Sequence, residues 1–293
     1  MAEATADQNK RLMPMVAGLR MVVFLAAWLC ALTAQGAGKT DPVPQRVISL
    51  LPSLTEMVCA LDQCDRLVGV DRYSNYPAQV RLLPRLGGGL DPNIEAMVAL
   101  KPDLVLMAGS SAAAAARLRA LGVKVVTLEP KNHADVRSTL STLGQLFGLA
   151  DAQASWRGIE SGLRNASRLL APKPAKTRVY FEVNAAPYAA GESSFIGETL
   201  ALLGVQNIVP AKLGAFPKIN PEMVVSADPD VIMVSDSTFS AMAARPGWSR
   251  LRALTSGRVC VFTPEQSDLM VRPGPRMAEA ALILAQCLQE KAP

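Results

Sequence analysis

One pattern occurs twice in this 293-residue chain. Asn93-Ile94-Glu95 leads through Ala99-Leu100 to Lys101-Pro102-Asp103 and the apolar run Leu104-Val105-Leu106-Met107. Asn220-Pro221-Glu222 leads through Ser226-Ala227 to Asp228-Pro229-Asp230 and Val231-Ile232-Met233-Val234. Each copy reads as a capping Asn, a short helix with Glu in its first turn, a Pro-Asp turn and a buried strand. Each such unit needs a sheet to receive its strand, so the duplication predicts two similar lobes.

The rest of the chain fits that division. Strand-like runs at Arg46-Val47-Ile48-Ser49-Leu50-Leu51, Arg66-Leu67-Val68-Gly69-Val70 and Lys124-Val125-Val126-Thr127-Leu128 alternate with helical patterns, as do later runs at Arg178-Val179-Tyr180-Phe181-Glu182-Val183 and Arg258-Val259-Cys260-Val261-Phe262. That alternation predicts α/β architecture with mostly parallel sheets in two Rossmann-like lobes. Trp156, Ile159, Leu163, Ala166 and Leu170 recur at helical spacing, and Pro172 and Pro174 end the pattern. The expected organisation is an N-terminal lobe over residues 46–150, one long interdomain helix over 151–172 and a C-terminal lobe over 173–293. Ser53 followed by Glu56 reads as a capping box for a helix beginning at Leu54.

Residues 1–38 have the order of an export signal or uncleaved membrane anchor: basic residues, an apolar run from Met21 to Leu32, then small and polar residues. Residues 39–45 read as a linker. Export places the chain in an oxidising, periplasmic setting. Cys59 with Cys64, and Cys260 with Cys287, can pair there if they meet in space; buried free thiols are the alternative, and the spacing fits no zinc site. The formal charge is +5, yet Lys10, Arg11 and Arg20 belong to the leader and no dense basic run follows. Nucleic acid is therefore not the expected partner.

Enzyme signatures are absent. No Gly-x-Ser-x-Gly elbow or His-Glu-x-x-His helix occurs, and His133 stands before a helix as a solvated or capping residue. Non-catalytic capture of a ligand between two lobes needs no nucleophile. Tyr73, Tyr188, Phe216 and Trp248 are the candidate aromatic walls, and Arg272 the candidate contact for an anionic or amide-rich group. Arg272 can instead pair with Asp268. Glu95 and Glu222 stabilise their helix N-termini and also present two acidic points to a roughly two-fold partner.

Several of these stretches resemble one family. Arg46-Val47-Ile48-Ser49-Leu50 with Pro52-Ser53-Leu54-Thr55-Glu56, Tyr73-Ser74-Asn75-Tyr76-Pro77, the segment from Asn93 to Val105, Leu203-Gly204 and Arg272-Pro273-Gly274-Pro275-Arg276 are similar to the helical-backbone class of periplasmic binding proteins that serve ABC importers. The likeness is nearest to the vitamin B12 (cobalamin)-binding members. It implies a monomeric receptor with no intrinsic cofactor or metal, carrying a corrinoid to a homodimeric-type permease. Ser53, Tyr73, Tyr188, Phe216 and Arg272 would fall on the cleft, and Glu95 and Glu222 would meet permease arginines. The chain departs from that pattern at Gly89 and Ala108, where tryptophans are expected, while Phe216 keeps an aromatic ring. A ferric siderophore or haem receptor of the same fold is the alternative ligand reading. An extracytoplasmic metallo-cluster or oxidoreductase protein, holding metal at Cys59 and Cys64, is the alternative of another class.

Overall fold

The computed structural model describes residues 42–170, 176–185 and 187–293. The export segment, the first three residues of the linker, Pro172 and Pro174 lie outside the described residues.

In the first lobe β1 (Val47–Ser49), β2 (Leu67–Val70), β3 (Leu104–Met107) and β4 (Val125–Thr127) form a four-stranded sheet in the order β2-β1-β3-β4, parallel throughout. Successive side chains enter opposite faces. Val47, Leu104 and Leu106 join one core, while Ile48, Val105 and Met107 join another. Helices α1 (Pro52–Ala60), α2 (Ile94–Ala99), α3 (Ala112–Ala120) and α4 (His133–Leu146) accompany these strands, which is why the strands read as continuous apolar runs.

Between the lobes runs α5 (Gln153–Leu169), whose 17 residues span about 25 Å. Its Trp156, Ile159, Leu163 and Ala166 are buried, as their spacing predicts. It is somewhat shorter than the pattern implied.

The second lobe centres on β5 (Arg178–Asn184). The short β6 (Tyr188–Ala189) pairs with it antiparallel. Helix α6 (Phe195–Leu202) follows, then β7 (Gln206–Asn207), α7 (Pro221–Ala227) and β8 (Val231–Ser235). Both β7 and β8 run parallel to β5, and β9 (Val259–Phe262) runs parallel to β8. Short helices α8 (Asp236–Phe239) and α9 (Arg252–Thr255) precede β9. Helices α10 (Pro264–Met270) and α11 (Met277–Lys291) complete the lobe. One apolar core contains β1, α5, β5 and α11 together, so packing as well as chain connectivity joins the lobes. Gly162 makes the approach of α5 to α11 possible: a Cβ there would lie 2.4 Å from the Cβ of Ala278.

The duplicated units have matching jobs. Asn93 accepts a hydrogen bond from the Ala96 amide at 2.9 Å, and Asn220 from the Glu222 amide at 3.0 Å, so both asparagines cap as expected. Each Pro-Asp aspartate reaches back to the first strand of its lobe. Asp103 accepts from the amides of Gln45 (2.7 Å) and Arg46 (3.0 Å), and Asp230 from the amide of Arg178 (2.8 Å). Arg46 and Arg178 return the contact by donating to the carbonyls of Leu100 and Ala227. The aspartates therefore satisfy strand-edge donors that would otherwise lack partners.

The capping box does not form. Leu51 is the N-cap of α1 and supplies no side-chain acceptor, Pro52 occupies the first turn, and Glu56 is drawn away to arginines of the other lobe. A charge-assisted bond to a guanidinium is stronger than one to an amide. Both cysteine pairs, Cys59–Cys64 and Cys260–Cys287, are disulfides. The first leaves no thiolate at Cys59 or Cys64 to hold a metal.

Candidate ligand cleft

A cavity of about 460 Å³ opens between the lobes. Its walls come from loops after strands: Leu51, Pro52 and Ser53 after β1, Tyr73 after β2, Glu129, Pro130 and Lys131 after β4. The second lobe contributes Val183, Phe195, Phe216 and the stretch around Asp268, Val271, Arg272 and Pro273. Loops beyond the carboxyl ends of parallel strands are the usual ligand-binding positions in open α/β sheets.

A buried polar network sets the Tyr73 turn. Asp71 accepts from the amides of Tyr73 (2.7 Å) and Ser74 (3.1 Å) and from the Ser74 hydroxyl, while Thr55 bonds to both Ser49 and Ser74 at 2.9 Å. Burial pushes the Asp71 carboxyl up from its ordinary range, against the lowering effect of the Ser74 hydroxyl, the two amides and Arg272. Above this network Tyr73 is 61% exposed, available as a flat apolar surface. Phe216 meets Phe195 across 5.7 Å between ring centroids.

Beside the cleft the lobes are fastened by ion pairs. Arg272 donates to Glu56 (3.0 Å), Asn75 (2.7 Å), the Tyr73 carbonyl (3.1 Å) and Asp268 (2.8 Å). Arg276 grips both oxygens of Glu56, at 2.8 and 2.7 Å, and its guanidinium lies 4.0 Å from the centre of the Tyr76 ring. Burial works against the charge on Arg276, but its bonds to Glu56 outweigh that and hold its pKa above the usual value. The Tyr73-to-Pro77 motif and the Arg272-to-Arg276 motif thus meet in one seam. Arg272 lines the cleft with its hydrogen bonds already committed to protein partners.

His133 forms a second tie. Its amide donates to Glu198 at 2.6 Å, and its Nε2 lies 3.1 Å from both the Phe195 carbonyl and the Thr199 hydroxyl. The Phe195 amide donates to the Lys131 carbonyl at 2.7 Å. His133 is therefore an interlobe contact rather than a solvated residue. Burial lowers its pKa, with Glu198 opposing, so the neutral ring is favoured in the folded state. Below the ordinary value of 6.5 the unfolded chain takes up a proton that the native ring resists, and stability falls with pH until the native ring also titrates. A His133→Gln variant lacks this proton linkage. The Tm advantage of the wild-type protein over it is expected to shrink as pH falls from about 7.5 towards 5; a growing advantage would show that Glu198 dominates.

Not every expected wall residue reaches the cleft. Ser53, Tyr73, Phe216 and Arg272 line it together. Tyr188 stands on β6, exposed and outside the lining, beside the bridge from Tyr188 to Lys218. Trp248 is fully buried within the second lobe, 4.6 Å beneath Arg245 and edge-on to Tyr180 at 5.8 Å, so it is a core residue and not a cleft wall. Glu95 and Glu222 occupy corresponding first-turn positions and are exposed, with Arg117 3.7 Å from Glu95. Glu129 and Lys131 were missed, although their place at the end of β4 was a signal for them.

Comparison with known proteins decides the family. The model for "Periplasmic binding protein" matches residues 47–266. The chain belongs to that family. It is also 30% identical to the uncharacterized ABC transporter substrate-binding lipoprotein YvrC of Bacillus subtilis, across 84% of this chain and 80% of that protein. It is 27% identical to the vitamin B12-binding protein of Photorhabdus laumondii over 93% of this chain and 95% of that one. Among solved structures, a periplasmic heme-binding protein from Pseudomonas aeruginosa is similar with a TM-score of 0.74 and 27% identity, covering 85% of this chain and 94% of that one. This periplasmic binding protein is thus a non-catalytic solute receptor that takes a small ligand and works with a membrane ABC permease. Among its described residues no helix is long and apolar enough to cross a membrane.

Proposed function

We propose that the cleft receives a corrinoid of the vitamin B12 type and that the receptor delivers it to its permease. The observation that carries this reading is the charge balance of a lining that is otherwise apolar and aromatic apart from Ser53. Glu129 and Asp268 match Lys131 and Arg272, and Arg272 is already engaged by Asp268 and Glu56. Such a lining suits a large ligand fringed by neutral amides, which it can hold by packing and hydrogen bonds. A dicarboxylate would call for surplus cations. The likeness to a vitamin B12-binding protein supports the same choice. Exposed Glu95 and Glu222, at equivalent places in the two lobes, would then face basic residues on two related permease subunits.

A haem reading has one specific observation in its favour. The Tyr73 phenol stands exposed at the cleft, where it could ligate ferric iron, and a heme-binding protein shares the fold. Thermal unfolding in the presence of cyanocobalamin, haem or a ferric hydroxamate siderophore separates these readings. The corrinoid alone is expected to raise Tm with a saturating dose response. A larger saturating rise with haem, accompanied by a haem absorbance change lost in Tyr73→Phe, would replace the corrinoid reading with the haem one.

A further inference from the structure

The first turn of α1 borders the cleft and carries one side-chain donor without a partner. Leu51, the N-cap, offers no side-chain acceptor; Pro52 has no amide hydrogen; and the partner expected for Ser53 in a capping box, Glu56, is held by Arg272 and Arg276. The Ser53 hydroxyl is left without a partner although the residue is only 3% exposed. Leu51, Pro52 and Ser53 all line the cavity. Buried polar groups are satisfied in all but a few cases, and each one that stays unsatisfied calls for a partner supplied from elsewhere or a role of its own. The helix end adds a positive dipole pointing the same way.

From this geometry we infer that Ser53 is a specificity-determining residue whose hydroxyl donates to an oxygen acceptor of the ligand seated at the N-terminus of α1. The inference rests on the corrinoid reading and sharpens it. Both Nη nitrogens of Arg272 already donate to Glu56, Asn75, Asp268 and the Tyr73 carbonyl, whereas the Ser53 hydroxyl has no protein partner. Arg272 holds the lobes, and Ser53 reads the ligand. The acceptor chemistry is a carbonyl-type oxygen, either the amide of a corrinoid propionamide arm or the carboxylate of its hydrolysed counterpart. These two sources respond differently to the helix dipole, which strengthens a bond to a carboxylate over one to an amide.

The test compares the wild-type protein with Ser53→Ala in two measurements. In the ligand-free protein the substitution removes an unpartnered buried hydroxyl, so Tm is expected to hold or rise. Cyanocobalamin affinity is expected to fall roughly five- to tenfold, the worth of one hydrogen bond. Running the same pair with a monocarboxylate derivative of cyanocobalamin identifies the acceptor: a steeper loss for that derivative assigns the carboxylate, an equal or smaller loss the amide. A drop in ligand-free Tm with unchanged affinity would place the hydroxyl in the fold and overturn the inference alone. Failure of the wild-type protein to bind cyanocobalamin would overturn both it and the corrinoid reading.

Discussion

Replacing Glu56 by alanine is expected to destabilise the protein by about 3–5 kcal/mol, because it strips the shared counter-ion from two arginines at once. Glu56 is 3% exposed and bonds to Arg272 at 3.0 Å and to Arg276 at 2.8 and 2.7 Å. Arg272 is itself buried. Without Glu56 it keeps Asp268, but Arg276 keeps only its stacking on Tyr76 among the contacts just described. A loss of that size lowers Tm by roughly 10 °C in a chain of this length. Glu56→Gln should fall between the two, since it retains an acceptor oxygen while losing the charge. Because this seam joins the lobes beside the cleft, Glu56→Ala should also weaken ligand binding. A Tm within about 2 °C of wild type would mean that the seam is open in solution.

Trp248→Ala is the second large effect, expected to cost about 3–5 kcal/mol with little change in ligand affinity among the molecules that remain folded. The ring is completely buried, faces Tyr180 edge-on and lies under Arg245, which is bound in turn to both oxygens of Glu182 at 2.6 and 2.7 Å. The Tyr180 hydroxyl donates to Glu182 at 2.8 Å, and burial together with that carboxylate pushes the Tyr180 pKa up. Removing the indole therefore leaves a cavity beneath a buried ion pair. Trp248→Phe should recover much of the loss, since the indole nitrogen makes no hydrogen bond that a phenyl ring would forfeit. Chemical denaturation of both variants, with ligand titration at a temperature where both are folded, checks the prediction. Strongly weakened binding by well-folded Trp248→Phe would return this residue to the cleft wall.

The contrast between these two residues shows what sequence can and cannot reveal here. The twin Asn-to-Asp units were legible because asparagine capping and Pro-Asp turns are local chemistry, set by a few adjacent residues. Their tie to Arg46 and Arg178 was not, since it joins residues more than fifty positions apart that meet only when the sheet forms. Ser53 and Glu56 had the spacing of a capping box, yet a distant pair of arginines won the glutamate. Trp248 read as a cleft wall because it stands in a polar loop; the Tyr180 ring and Arg245, itself held by Glu182, cover it from elsewhere in the lobe. Tyr73 and Phe216 were recoverable because aromatics in loops between elements tend to face clefts, whereas Glu129 and Lys131 carry no mark beyond their position after β4.

The most direct test of the account is calorimetric titration of the purified protein with cyanocobalamin, alongside Tyr73→Ala and Phe216→Ala. Saturable one-to-one binding by the wild-type protein, weakened at least tenfold in each variant without loss of fold, is the predicted result. Absence of corrinoid binding by folded protein, or binding indifferent to both aromatic residues, would contradict the claim that this cleft is a corrinoid site.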